Sequence, residues 1–256
     1  MIALALLLAC HHPVEAPAEM DALSSFLYAS WDDEDPDAMR QGVANLLAFA
    51  ETVDVSGDLN GRSFVVNPFG REEIDAYVDH DNDPLETVGV GVLYLSPYPA
   101  LTHMQHVRMA DQTPVEPSSP SHYERVFTEG DPDCFVDGSC EILRSMNDVL
   151  RETMLYELAY DMDKMWRWVE TDSGVDALCA RSMNVDEAQS GDNIRLLQGY
   201  SMDLLLPKDG GSLRYQVTWQ QSEIPGLDDE DMQGAIASGV NDVFVLQDEY
   251  VAEELR

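Results

Sequence analysis

The sequence predicts an α+β domain with N-terminal helices, an antiparallel β-sheet meander and a C-terminal helix packed on the sheet. Three observations carry that expectation. Apolar residues recur at three and four positions near both ends of the chain, and the period changes to two beyond Gly57. Clusters of Gly, Pro, Asn, Asp and Ser separate the alternating runs. Helices, then strands, then a closing helix is the order of an α+β fold rather than a βαβ fold.

The elements follow in order. Leu23, Phe26 and Leu27 begin a helical pattern that spans Met20 to Val53 and is interrupted by Asp32-Asp33-Glu34-Asp35-Pro36. Met39, Val43, Leu46, Leu47 and Ala50 resume it, so two helices joined by an acidic turn are expected. Pro36 and Asp37 suit the start of the second helix, where a missing N–H is no loss and a carboxylate favours the dipole. Arg62 to Val66, Val88 to Leu95, Met104 to Met109 and Tyr123 to Phe127 are strand candidates. Val115 to Pro120 reads as a loop, and Glu141 to Val149 as a helical turn or two.

Met154 to Val169 fits two templates. Met154, Tyr156, Leu158, Tyr160 and Met162 alternate as in a strand, whereas Leu155, Leu158, Ala159, Met162, Met165, Trp166 and Val169 match a helical stripe. The turn signal Thr171-Asp172-Ser173-Gly174 favours the strand, with Val175 to Met183 pairing back. Tyr200 to Leu206 and Ser212 to Trp219 flank Lys208-Asp209-Gly210-Gly211, a strong hairpin signal. Leu213, Tyr215, Val217 and Trp219 share one face of the second strand, and Arg214, Gln216, Thr218 and Gln220 share the other. Ile236, Val240, Val243, Phe244, Gln247 and Val251 are spaced as one face of the last helix.

This element order resembles the START-like, or helix-grip, domains, in which a curved sheet wraps a long terminal helix around a lipid or apolar cavity. The resemblance rests on order alone, and an open sheet with helices on one face satisfies the same string. It implies a cavity for an apolar ligand.

The amino terminus carries a second resemblance. Residues 2 to 9 are uninterrupted apolar residues, too short to span a bilayer, and Leu7-Leu8-Ala9-Cys10 resembles the lipobox of bacterial lipoproteins. That likeness implies a signal peptide over 1–9, a diacylglycerol on Cys10, and anchoring to a membrane of the bacterial envelope by several acyl chains. No Lys or Arg precedes the apolar run, which is accommodated by a start codon further upstream. The Pro-punctuated residues 10–19 read as an extended tether, and 20–256 as one domain. His11 stands where an Asp would favour the inner membrane in that family, which directs the expectation to the outer membrane.

The chain carries 49 acidic and 14 basic residues, a net charge of −35, and only Lys164 and Lys208 are lysines. A surface this negative repels phosphate backbones and anionic headgroups, so nucleic acid is not an expected partner. Apart from Cys10 the cysteines are Cys134, Cys140 and Cys179. Asp137-Gly138-Ser139 can turn the chain so that Cys134 and Cys140 form a disulfide, which an oxidising compartment favours. Cys179 is then a buried thiol, and a pairing through Cys179 is the open alternative.

Asp79, Asp81 and Asp83 alternate as hard-cation ligands do, but Pro84 and Val90 stand where an EF-hand needs Gly and Glu. A non-EF calcium loop is one reading and a solvated acidic turn is the other; no other cofactor is expected. His103, Met104, His106 and Met109 mix ligands suited to copper, yet on a strand the two histidines would face opposite sides. Trp166, Trp168, Tyr215 and Trp219, with Tyr156 and Tyr160, alternate along strands, where they line an apolar ligand pocket or form core. No nucleophile elbow, zincin motif or phosphate loop is present. The expected function is therefore binding of an apolar small molecule or lipid by an envelope lipoprotein. The rivals are an assembly lipoprotein contacting other envelope proteins and a carboxylate-based hydrolase.

Overall fold

The structure, a computed structural model, describes residues 15–32, 36–68, 70–71, 74, 81–116, 120–152, 157–171, 174 and 176–254. The helices are α1 (Met20–Ala29), α2 (Pro36–Ala50), α3 (Leu59–Arg62), α4 (Ala100–Val107), α5 (Pro132–Val136) and α6 (Asp229–Glu254). The strands are β1 (Ser63–Val66), β2 (Val88–Ser96), β3 (Pro120–Glu129), β4 (Ile142–Glu152), β5 (Glu157–Val169), β6 (Ala177–Asn184), β7 (Ala188–Ser190), β8 (Ile194–Lys208) and β9 (Gly211–Glu223). They form one antiparallel sheet in the order β1-β2-β9-β8-β6-β5-β4-β3, with β7 beside β8. The meander from β3 to β9 follows the chain, and β2 closes onto the other edge of β9. This is the α+β architecture expected from the sequence.

The β8–β9 hairpin turns at Asp209 and Gly210, with φ of 48° and 86°. Both are left-handed, as a two-residue type I′ turn requires, and Asp-Gly is a favoured pair for it. The register this sets puts Leu213, Tyr215, Val217 and Trp219 on the outer face, where they are fully buried with Leu23, Leu27 and Leu46 of α1 and α2. A Cβ on Gly91 of β2 would sit 2.7 Å from the Tyr215 hydroxyl, so glycine is what lets that ring lie across the neighbouring strand. The polar tips are satisfied: Tyr215 shares a hydrogen bond of 2.5 Å with Ser24, and Trp219 Nε1 donates to the Asn67 carbonyl at 2.9 Å.

The inner face is covered only in part. On β2, Val90 and Val92 pack against Ala237, Val240 and Phe244 of α6. At one end α4 and α5 bring Met104 and Phe135 onto Leu143, Trp166, Leu178 and Leu205. Between α6 and the strands β4, β5, β6 and β8, side chains do not fill the space.

Three local expectations are corrected. Met104 to Met109 is not a strand: α4 buries Ala100, His103, Met104 and Val107, an i, i+3, i+4, i+7 stripe. Its period is hidden in the sequence because two of the inward positions, His103 and His106, are histidines. Glu141 to Val149 is not helical: β4 points Leu143, Ser145, Asn147 and Val149 inward, all fully buried. Ser145 and Asn147 break the apolar alternation that marks a strand. Residues 16 and 17, expected in an extended tether, instead pack on the domain: Ala16 is buried and Asn45 donates to the carbonyls of Ala16 and Pro17, each at 2.9 Å.

Candidate functional site

Where α6 stands off the sheet, a cavity of about 340 Å³ remains. Small-molecule sites occupy roughly 300–1,000 Å³. Strand alternation fixes one wall: Lys164 on β5, Ser182 and Asn184 on β6, Asp203 on β8, and Gln216 and Thr218 on β9. Helix α6 supplies the other through Ile236, Gly239, Val240 and Val243. The helix wall is mainly apolar, with Asp242 and Gln247 as its polar members, and the sheet wall mixes its polar groups with Tyr123, Tyr160, Met162, Leu196 and Tyr200. A small annex of about 30 Å³ adjoins it, sharing Lys164, Asp203, Tyr123, Glu116 and Gln247 and adding Arg125 and Trp166.

The charges at this site are poorly matched. Arg151 is the exception, donating to the Tyr160 hydroxyl at 3.0 Å and to Glu116 at 3.5 Å. Arg125 is buried, donates to Asn147 at 3.0 Å and to the Val107 carbonyl, and lies 4.6 Å from the Trp166 ring. Lys164 makes no hydrogen bond or ion pair among the described residues, and its ammonium lies 5.6 Å from the same ring. Beneath the cavity Arg214 donates to Gln247 at 2.5 Å, while its Nε and Nη1 have no partner among the described residues. Asp203 Oδ1 and Asn184 Oδ1 are likewise buried without a donor. Burial pushes Lys164, Arg125 and Arg214 below the usual range of their side chains. Leaving a buried polar group unsatisfied costs about 1–3 kcal/mol, which a polar group or water bound in the cavity would recover.

A second polar cluster lies between α4, β2 and α6. His103 Nε2 is 3.1 Å from Ser96 Oγ, which donates to Asp248 at 2.7 Å, and Tyr94 donates to the same carboxylate at 3.0 Å. His103 Nδ1 and His106 Nε2 are 3.2 Å apart. Two protons cannot occupy that contact, so one ring donates and the other accepts. Burial lowers His103 to about 2 and holds His106 well below the ordinary histidine value, with Arg214 adding to both and the charge of His103 adding to the shift of His106. Asp248, 3.6 Å from His103, does not hold the imidazole charged: burial raises its own pKa, and Ser96 and Tyr94 occupy its oxygens. The histidines are thus neutral structural partners, and no group of three or more His, Cys, Asp or Glu side chains converges for a metal among the described residues.

The residues singled out from the sequence are placed as follows. Trp166 borders the annex, beneath Arg125 and Lys164. Trp168 stacks on Phe135 with centroids 5.6 Å apart and borders an open groove near the β8–β9 turn. Tyr215 and Trp219 are on the outer face, away from the cavity, because the register that buries them under α1 and α2 turns their alternating neighbours inward. Cys134 and Cys140 form a disulfide with Cα atoms 5.3 Å apart. Cys179 is a free, fully buried thiol that burial pushes up to about 12. Asp81 is exposed, and Asp83 accepts from the Leu85 N–H at 3.0 Å as the cap of a short turn. Cys10 and Asp79 lie outside the described residues. Sequence reasoning misses Lys164, Asp203, Gln216 and Thr218 as site residues, although a lysine amid Tyr160, Met162 and Trp166 on one alternating face is a visible signal.

Fold and cavity define the class: an antiparallel sheet with a C-terminal helix laid across it and a chamber between them. No protein-family model and no curated protein matches the chain. Similar solved structures include a protein of Thermus thermophilus, at 15% identity over 65% of this chain and 98% of that one, with a TM-score of 0.47. A STAR-related lipid transfer protein fragment from Xanthomonas axonopodis aligns at 11% identity over 74% of this chain and 92% of that one, with a TM-score of 0.46. A START superfamily protein from Mycobacterium smegmatis aligns at 11% identity over 66% and 99%, with a TM-score of 0.42. At such values nothing about a ligand is carried from those proteins to this chain.

Proposed function

We propose that this protein binds a small amphipathic molecule between its sheet and α6. The observation that carries the reading is a cavity of mixed lining, in which a mainly apolar helix wall faces strands carrying both apolar side chains and buried polar atoms left without partners among the described residues. A purely apolar ligand would leave Asp203, Asn184 and Lys164 unsatisfied, whereas one with a polar edge satisfies them and still buries its body against Val240 and Val243. No step of bond making is assigned to the site.

The direct test fills the cavity. Val243 is half-buried on the helix wall, so Val243→Trp is expected to weaken binding of a neutral amphiphile such as decanol by about tenfold or more, by removing the space its chain occupies. Calorimetric titration reads the affinity, and a thermal melt checks that the variant is folded. Equal decanol affinity in a folded Val243→Trp protein would contradict the reading.

The same proposal takes the domain to be tethered to an envelope membrane through a diacylglyceryl group on Cys10, on the strength of Leu7-Leu8-Ala9-Cys10. Mass spectrometry of the mature protein from its native host is expected to show an acylated N-terminal cysteine at position 10. An unmodified thiol there would remove the tether and leave the cavity reading intact.

A further inference from the structure

We infer that the cavity selects anionic amphiphiles, with Lys164 as the counter-ion of an acid head group seated in the annex and the apolar body lying along α6. This rests on the binding reading above and specifies the ligand's head. The first observation is distribution. The chain has 14 basic against 49 acidic residues and only two lysines, yet Lys164, Arg125, Arg151 and Arg214 surround this one chamber. Arg151 has Glu116. Lys164, Arg125 and Arg214 have no carboxylate within ion-pair distance among the described residues, although Glu116 and Asp203 border both spaces and Asp248 acts on Arg214 from further off. Three buried cations are therefore held near carboxylates without forming an ion pair with any of them.

The second observation is shape. The annex of about 30 Å³ has room for roughly two water-sized groups, at about 10–15 Å³ each. That is the size of the two oxygens of a carboxylate, or of two of the three terminal oxygens of a phosphate monoester. Lys164 borders both the annex and the main cavity, so its ammonium stands where a head group passes into a tail. The third is acceptor chemistry. Asp203 Oδ1 and Asn184 Oδ1 lack donors, and hydroxyl groups beside the acid would supply them.

Net repulsion strengthens the inference. A surface of net charge −35 repels an anion that comes within a Debye length, about 8 Å at physiological salt, and is screened beyond it. An anion site on such a protein needs a local, unneutralised cation, and Lys164 is one. Burial and the neighbouring Arg125 and Arg214 hold its ammonium below the usual lysine range, while Asp203 and Glu116 oppose them. An arriving oxyanion would further favour the charged form.

The test titrates the full chain with decanoate, decyl phosphate and decanol at one ionic strength. Either acid is expected to bind about tenfold or more tightly than decanol, the scale of one charge-assisted hydrogen bond. Whichever acid is tighter identifies the head as carboxylate or phosphate. Lys164→Met is expected to abolish the preference, weakening both acids about tenfold or more relative to decanol, and Lys164→Arg to retain it. Replacing an unpaired buried charge by an apolar side chain does not threaten folding, and a melt confirms it. Decanol binding as tightly as both acids to the wild type, or a preference surviving Lys164→Met, overturns the anion site while the cavity reading stands. If none of the three binds, the cavity reading fails and the anion site with it.

Discussion

Trp219→Ala is expected to cost about 3–5 kcal/mol of stability, as large aromatic deletions in closed cores do. Trp219 is fully buried, its ring meets Tyr28 edge-on at 5.6 Å between centroids, and its indole donates to the Asn67 carbonyl. Removing it opens a hole between the sheet and α1 and leaves that carbonyl only the longer bond from Ser25 Oγ, at 3.4 Å. Urea denaturation at neutral pH reads the effect as a lower midpoint with little change in slope. Because Trp219 lies on the outer face, the folded variant should bind decanol with wild-type affinity. A stable variant that no longer bound it would mean that the ligand lies under α1 and α2 instead.

Acid is expected to unfold the protein through His103 and His106. Both histidines have folded pKa values below the ordinary 6.5, His103 at about 2. A depressed pKa contributes stability that is complete above the unfolded value and is lost as pH falls below it. Between the unfolded and folded values each histidine removes up to about 1.4 kcal/mol per pH unit. Domains of this kind have about 5–15 kcal/mol in total, so two such groups consume much of it by about pH 4–5. Asp248 acts oppositely, since its pKa is raised by burial and it takes up its proton more readily when folded. Its contribution grows as pH falls, and it moderates the loss without reversing it. Urea midpoints at pH 7 and pH 5 check the sign: a clear fall is expected, and equal midpoints would contradict it. Replacing both histidines with glutamine should flatten the dependence.

The parts of the fold legible in the sequence are those where burial and polarity agree. The β8–β9 hairpin is readable because Asp209-Gly210 specifies the turn and Leu213, Tyr215, Val217 and Trp219 alternate without exception. The face of α6 is readable for the same reason through Val240, Phe244, Gln247 and Val251, which are all buried. Where inward positions are polar, the pattern fails. Ser145 and Asn147 disguise β4, and His103 and His106 disguise α4.

The site escapes the sequence by the same mechanism. Its sheet wall sets Lys164, Ser182, Asp203, Gln216 and Thr218, residues that a two-period reading assigns to solvent, beside Tyr160 and Met162. In this sheet both faces are covered, one by α1 and α2 and the other by α6 across a chamber. The apolar face therefore marks the core and the polar face marks the cavity, which reverses the expectation that Tyr215 and Trp219 would meet a ligand. Trp166 alone among the four expected aromatics borders the annex, and the cations above it rather than its ring give that place its chemistry.

The location of a bound amphiphile tests the account most directly. Intermolecular NOEs from the chain of a bound fatty acid, which report direct contact only, should reach the side chains of Met162, Thr218 and Val243 and be absent at those of Leu46, Tyr215 and Trp219. Contacts confined to Leu101, Trp168 and Lys208 around the open groove at the hairpin end, or to the helices of the outer face, would contradict it.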